Sequence, residues 1–272
     1  MSTASLLDLH VWGDPHAVAR RLGSHTRFLA AVGPSDVTRW ARDAACRSLP
    51  PTCLGYHLEG PYLNPQMAGA LSRRACRPRV RMRELAALVE AGGGRVRLMT
   101  IAPELPGATT AIRWLRRHGV VTSLGHTDAT YDQARRAIDA GATSATHLFN
   151  RMRPWHHRDP GVIGAILDDA RVSVQAIVDG VHLHPSAFRL LVRAVGPGRI
   201  ILTTDAVIDD ARRQGLVYSR QAYYTSGGVL AGSALSLPAA MRHAVQWGGV
   251  TPQQARAMAG TNPARLLGLP TR

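Results

Sequence analysis

Tyr56-His57-Leu58-Glu59-Gly60-Pro61-Tyr62-Leu63-Asn64-Pro65 is the stretch from which the fold can be read. A short apolar run from Cys53 to Tyr56 leads into a carboxylate, and Gly60-Pro61 then ends the extended segment at once. That break puts Glu59 at the C-terminal tip of a strand, aimed into whatever cavity lies beyond it. One acidic residue in such a place says little. It gains meaning because later β-type runs end the same way, in His126, His147 and Asp205.

Outward from this stretch, short β-type runs alternate with amphipathic helical ones. The β-runs fall at residues 6–11, 27–32, 54–58, 96–101, 120–124, 143–148, 172–178 and 199–204. Helical patterns occupy 15–22, 35–48 with Ser35 as N-cap, 80–91 ended by Gly92-Gly93-Gly94, 109–117, 131–140 stopped by Gly141, and 185–195. Two closing helices are expected at 235–247 and 252–259, after a weakly structured segment at 208–232. Eight β-runs interleaved with helices predict an α/β fold with a parallel sheet, closed as a (β/α)8 TIM barrel. No internal repeat or low-complexity linker interrupts residues 1–272, which read as one catalytic domain.

Bulk composition narrows the function classes. Hydrophobic residues at 45% and charged ones at 19% describe a globular chain, and no apolar run approaches a membrane span. Met1 to Ser5 does not begin a basic-then-apolar leader, and Cys46, Cys53 and Cys76 have no metal-type spacing. Reduced thiols in a cytoplasmic protein are the expectation. The net charge of +15 comes from 33 basic residues that are all arginine. They are spread over polar faces (Arg20, Arg39, Arg135, Arg212, Arg213) rather than gathered into a tract with aromatics, which argues against nucleic acid as partner.

In such a barrel the active site lies at the C-terminal strand ends. His10, His57, Glu59, His126, His147, Asp179, His182 and Asp205 all fall there. A carboxylate with two imidazoles is a common catalytic ligand set for a divalent ion, and a nearby aspartate can move a proton to and from water. Singly, each residue has a plain structural role available, such as a satisfied histidine or an aspartate capping a turn. Their recurrence on successive strand tips is what points to chemistry.

His57-Leu58-Glu59-Gly60-Pro61, Gly125-His126-Thr127-Asp128-Ala129-Thr130, Thr146-His147-Leu148-Phe149-Asn150, Asp179-Gly180-Val181-His182 and Thr203-Thr204-Asp205-Ala206 resemble, in order, the motifs of N-acetylglucosamine-6-phosphate deacetylases of the amidohydrolase superfamily. The resemblance runs from Asp8-Leu9-His10 to Thr261-Asn262-Pro263-Ala264-Arg265. It implies Glu59, His126 and His147 as metal ligands, and Asp205 as the general base that later protonates the departing amine. His182 would steady the substrate and the developing oxyanion. Asn150, Arg151, Asp179, Leu230 and Gly232 would surround the sugar phosphate. Arg158 matches a phosphate-binding arginine that relatives supply from the neighbouring subunit, which implies a homodimer.

Departures from the pattern are as informative. The first strand ends His10-Val11-Trp12 where a His-x-His pair is usual. This implies a single divalent ion, Zn2+ first, with Mn2+, Fe2+ and Co2+ compatible with the same donors. His10 is left as either a vestigial second-site ligand or an outer hydrogen-bond partner. Leu71 stands where relatives keep a sugar-contacting histidine, Arg151 where they keep alanine, and Val207-Ile208-Asp209-Asp210 replaces a Pro-Ala-Gly segment. The accessory β-sandwich of relatives is expected to be absent. Hydrolysis of the N-acetyl amide of N-acetylglucosamine 6-phosphate is thus the expected activity. Another N-acyl amide substrate, or a non-catalytic binding derivative, stands as the alternative.

Overall fold

A computed structural model describes residues 5–208 and 215–271. Of the residues read above, Met1 to Ala4, Asp209, Asp210, Arg212 and Arg213 lie outside that range. The chain divides into two compact units, one holding the chain up to Ala30, Leu49–Leu54 and everything from Ser173 onward, the other Ala31–Ser48 and Gly55–Val172.

In the second unit β3 (Cys53–Glu59), β4 (Val96–Ile101), β5 (Val121–Leu124) and β6 (Ser144–Ala145) pair in parallel, each with its sequence neighbour. Their side chains are buried on both faces, as in a parallel sheet covered by helices: Leu98, Met99 and Ile101 of β4 are all inaccessible to solvent. The covering helices are α2 (Val37–Asp43), α3 (Met82–Ala91), α4 (Ala108–Arg117), α5 (Tyr131–Ala140) and α6 (Gly161–Asp168). In α4 the buried residues Ala108, Ala111, Ile112 and Leu115 follow the helical repeat, with Arg113, Arg116 and Arg117 turned outward. α5 opens with a capping box between Thr130 and Gln133, which satisfies two otherwise orphaned amides.

In the first unit β1 (Leu6–Trp12) pairs in parallel with β2 (Thr26–Val32) and β9 (Ala206–Val207). β7 (Ser173–Ala176) pairs likewise with β8 (Ile200–Leu202). α1 (Pro15–Leu22), α7 (Pro185–Val195), α8 (Leu237–Gly248), α9 (Pro252–Ala259) and α10 (Thr261–Leu266) complete it, together with three short strands. These are β10 (Val217–Ser219), β11 (Ala222–Tyr224) and β12 (Leu230–Ser233), an antiparallel set whose last strand joins β9.

Three expectations need correction, and one helix is additional to them. The segment at 208–232 holds β10 to β12, which are too short for alternation to show in the sequence. α6 was unread because Val162, Ile163, Gly164, Ala165 and Ile166 are all buried, so no polar face marks a helical period. Ser35 does not cap α2. The Gly33 carbonyl accepts from the Asp36 and Val37 amides there, and the helix stops at Asp43, after which the Arg95 guanidinium takes the carbonyls of Ala44 and Arg47. β6 covers only two residues of the run expected at 143–148, because His147 and Phe149 leave the extended region at φ 30° and 76°.

The arginine-rich surface is partly neutralised locally. Arg171 pairs with Asp139 and Asp169, Arg153 with Asp128 and Asp159, and Arg77 with Glu84. Among the described residues no helix is long and apolar enough to cross a membrane.

One buried polar knot ties β1 to the end of β8 in the first unit. Asp8, in the middle of β1, accepts from the Thr203 and Thr204 hydroxyls and from the amides of Thr204 and His10. Burial pushes its carboxyl above the ordinary range despite these four hydrogen bonds. Replacing Asp8 with alanine would strand those donors away from water. A loss of about 2–4 kcal/mol of stability is expected, read as a lower urea midpoint at unchanged m-value.

Candidate metal centre and general base

Glu59 ends β3 and is followed by Gly60 at φ 96° and a cis Gly60–Pro61 bond. A Cβ on Gly60 would lie 2.9 Å from the Leu63 side chain, so only glycine permits this turn. His126 follows β5 at φ 50°, and His147 follows β6 at φ 30°. Left-handed backbone at two non-glycine residues is costly, and it is kept where a side chain must be aimed. Both imidazoles are aimed at one carboxylate oxygen. His126 Nε2 lies 3.1 Å and His147 Nε2 3.0 Å from Glu59 Oε1, with all three groups buried.

The tautomer of His126 makes this cluster more than a hydrogen-bonded pair. Its Nδ1 lies 2.9 Å from the Met67 carbonyl, which can only accept, so the proton sits on Nδ1. In the neutral form of that tautomer Nε2 turns a lone pair toward a carboxylate oxygen. Two acceptors facing each other at this distance call for a cation. The three donor atoms lie within 4.8 Å of one another, a mixed O/N set that fits a divalent ion of the zinc type. Nothing in the donor set selects among Zn2+, Mn2+, Fe2+ and Co2+.

The remaining residues of the second unit fall into distinct roles. His57, expected at the same strand tip, instead makes a 2.7 Å bond with Thr100 Oγ1, which continues to Thr146 and Ser123. Asn150 uses its amide nitrogen on the carbonyls of His147 and Leu148, and so holds the turn that aims His147. Arg151 stands at φ 54° with its guanidinium across Gly69, where a Cβ would clash. Leu71 packs against Leu63, Ala68 and Cys76. Burial, and then the Glu59 charge, push the Cys76 thiol up to about 11, so this cysteine is a neutral member of that apolar cluster. Arg158 lies on an exposed turn, 2.9 Å from His157 Nε2.

Glu104 was missed by sequence reasoning. Its carboxylate accepts from the Asn64 amide, the Thr127 hydroxyl and the Asp128 backbone, tying together the loops that follow β3 and β5. Its sequence signal is an acid just beyond the end of β4, with no motif around it.

In the first unit Asp205 follows β8 at φ 52°. The Trp12 indole donates to its Oδ1 at 2.7 Å, and His10 Nε2 lies 3.4 Å from the same oxygen. His182 Nε2 lies 3.9 Å from Oδ2. The other nitrogen of His182 is 2.6 Å from Asp179, which also accepts from the amides of Val181 and His182. Burial alone would raise the Asp179 carboxyl, but the hydrogen bonds and the His182 charge outweigh it and hold it below the usual range. Asp179 therefore accepts from Nδ1 of His182 and orients the ring with Nε2 toward Asp205. Leu230 and Gly232, expected in a substrate loop, belong to β12. Gly232 packs on Asp205 so closely that a Cβ would meet its carbonyl oxygen at 3.0 Å, and the Ser233 amide donates to that carbonyl.

Comparison with known proteins agrees with these motifs. The signature of the Amidohydrolase family matches residues 16–272. The chain is 41% identical over 224 residues to N-acetylgalactosamine-6-phosphate deacetylase of Escherichia coli O157:H7, covering 79% of this chain and 59% of that protein. It is 35% identical to N-acetylglucosamine-6-phosphate deacetylase of Lysinibacillus sphaericus, covering 79% of this chain and 58% of that protein. It thus spans less than two thirds of the length of these curated relatives. Among solved structures, an aspartate-to-alanine variant of the N-acetyl-D-glucosamine-6-phosphate deacetylase of Mycobacterium smegmatis, in complex with N-acetyl-D-glucosamine-6-phosphate, superposes with a TM-score of 0.87 at 36% identity. That match covers 99% of this chain and 78% of the mycobacterial one, and with it the TIM-barrel fold class read from the strand pattern holds. By signature, sequence and structure, this chain belongs to the amidohydrolase family.

Proposed function

We propose that the protein is a metal-dependent deacetylase of 2-acetamido sugar 6-phosphates, with N-acetylglucosamine 6-phosphate as its default substrate. The observation that carries this reading is the convergence of Glu59, His126 and His147 on one point, with the His126 lone pair turned toward a carboxylate oxygen. The relatives named as deacetylases support the amide substrate, and their names cover both the gluco and galacto epimers.

On this reading Glu59, His126 and His147 hold the ion, which supplies Lewis acidity to the amide carbonyl and to water. Asp205 takes the proton of the attacking water on Oδ2 and returns it to the amine as the C–N bond breaks. His182, with a proton on Nε2, donates to the carbonyl oxygen as charge builds on it, and Asp179 holds that ring in place through Nδ1. Asn150 and Arg151 lie within four residues of His147 and serve the sugar phosphate. Arg158, exposed on its turn, reaches the phosphate of a neighbouring protomer in a homodimer of cytoplasmic protein.

A second reading, a different N-acyl amide as substrate, is favoured by Leu71. It is turned into an apolar cluster and offers no hydrogen bond to a sugar. The test is to incubate zinc- or manganese-loaded protein with both epimeric phosphosugars, with unphosphorylated N-acetylglucosamine and with a panel of other N-acyl amines. Acetate and primary amine are expected in equal amounts from a phosphosugar. Cleavage of another amide but neither phosphosugar would transfer the assignment to the second reading. No cleavage together with no retained metal would leave a binding derivative.

A further inference from the structure

The first strand reads as a loss when compared with a His-x-His pair, because Trp12 cannot bind a metal. The structure gives Trp12 a different task. Its indole N–H meets Asp205 Oδ1 at 2.7 Å, the shortest contact of that carboxylate among those described. Its backbone is pinned as well: Val11 and Trp12 pair with Ala206 and Val207, and the Ile208 amide donates to the Trp12 carbonyl. Gly13 then passes so close to Ile208 that a Cβ would meet its carbonyl oxygen. The indole is therefore presented from a fixed position to a residue whose own backbone sits in the left-handed region.

An indole N–H is a donor only and keeps its proton at every working pH. It occupies Oδ1 permanently, and His10 Nε2 approaches the same oxygen at 3.4 Å. Oδ2 is left facing His182 Nε2 at 3.9 Å, beyond direct hydrogen-bond reach. The two oxygens of one carboxylate are thereby divided between anchoring and reaction. Building on the reading of Asp205 as general base, we propose that Trp12 is its positioning residue: the indole N–H holds Oδ1 and leaves Oδ2 as the one oxygen that receives the proton.

Trp12→Phe keeps an aromatic ring, though a smaller one, and removes the donor. In the full chain loaded with metal, kcat on the cleaved substrate is expected to fall about 10- to 100-fold, as for a misplaced catalytic group, with KM nearly unchanged. A spectroscopic readout tests the contact without any substrate. The chain has five tryptophans, and loss of one indole N–H resonance in Trp12→Phe identifies that of Trp12. In Asp205→Ala that resonance is expected to shift by more than the other indoles. Wild-type kcat in Trp12→Phe, a rise in KM alone, or a Trp12 resonance indifferent to Asp205→Ala overturns the proposal. Should Trp12→Phe fail to fold, the response of one indole resonance to Asp205→Ala still decides. If the wild-type protein cleaves neither phosphosugar, the functional reading fails, and the indole resonance alone judges Trp12.

Discussion

Asp205→Asn is expected to lower kcat by about 10³-fold or more while the protein still holds one equivalent of metal. The substitution is nearly isosteric. An asparagine carbonyl can still accept from the Trp12 indole as Asp205 Oδ1 does, so the turn after β8 has no reason to move. What disappears is basicity at the second oxygen, the one facing His182. An amide nitrogen there can neither take a proton from water nor return one to the amine. Because the ion is assigned to Glu59, His126 and His147, metal content should be untouched. Turnover, metal analysis and circular dichroism on the same sample check this. Loss of metal in step with activity would make Asp205 a ligand and remove it as the base.

How much of this was legible depended on where the physics is local. β4, α5 and α9 were read to the residue, because apolar periodicity and flanking Gly or capping residues mark their ends within a few positions. Glu59, His126, His147 and Asp205 are legible as polar residues at strand tips, since a strand ended sharply leaves the side chains at its end facing one region. What the sequence concealed were relations between distant residues. Glu104 joins Asn64, Thr127 and Asp128 through bonds spanning loops. Trp12 looked like a missing ligand until its indole was seen on Asp205, 193 residues away. Leu71 is legible as a departure from a sugar-contacting histidine, but not its place in an apolar cluster with Leu63, Ala68 and Cys76. α6 hid for the opposite reason: a helix buried on all sides carries no amphipathic signal.

The second large effect belongs to Glu59. Glu59→Gln preserves shape but removes the one anionic donor of the cluster, and affinity for the ion is expected to fall by more than the roughly 10–100-fold seen when only an outer partner of a ligand is lost. Dialysed protein should then carry no stoichiometric metal and release no acetate. Stability gives an independent readout. An ion present at about 1,000 times its Kd stabilises the folded state by roughly 4 kcal/mol, so a chelator should lower the Tm of the wild-type protein clearly. Removing the ion also leaves the wild-type chain with a buried carboxylate facing the lone pair of His126, unless that ring takes up a second proton. Glu59→Gln has neither the ion nor the buried charge, so its Tm should be indifferent to chelator. Equal chelator shifts in both proteins would place the stabilising ion away from Glu59, and with it the chemistry assigned to this end of the sheet.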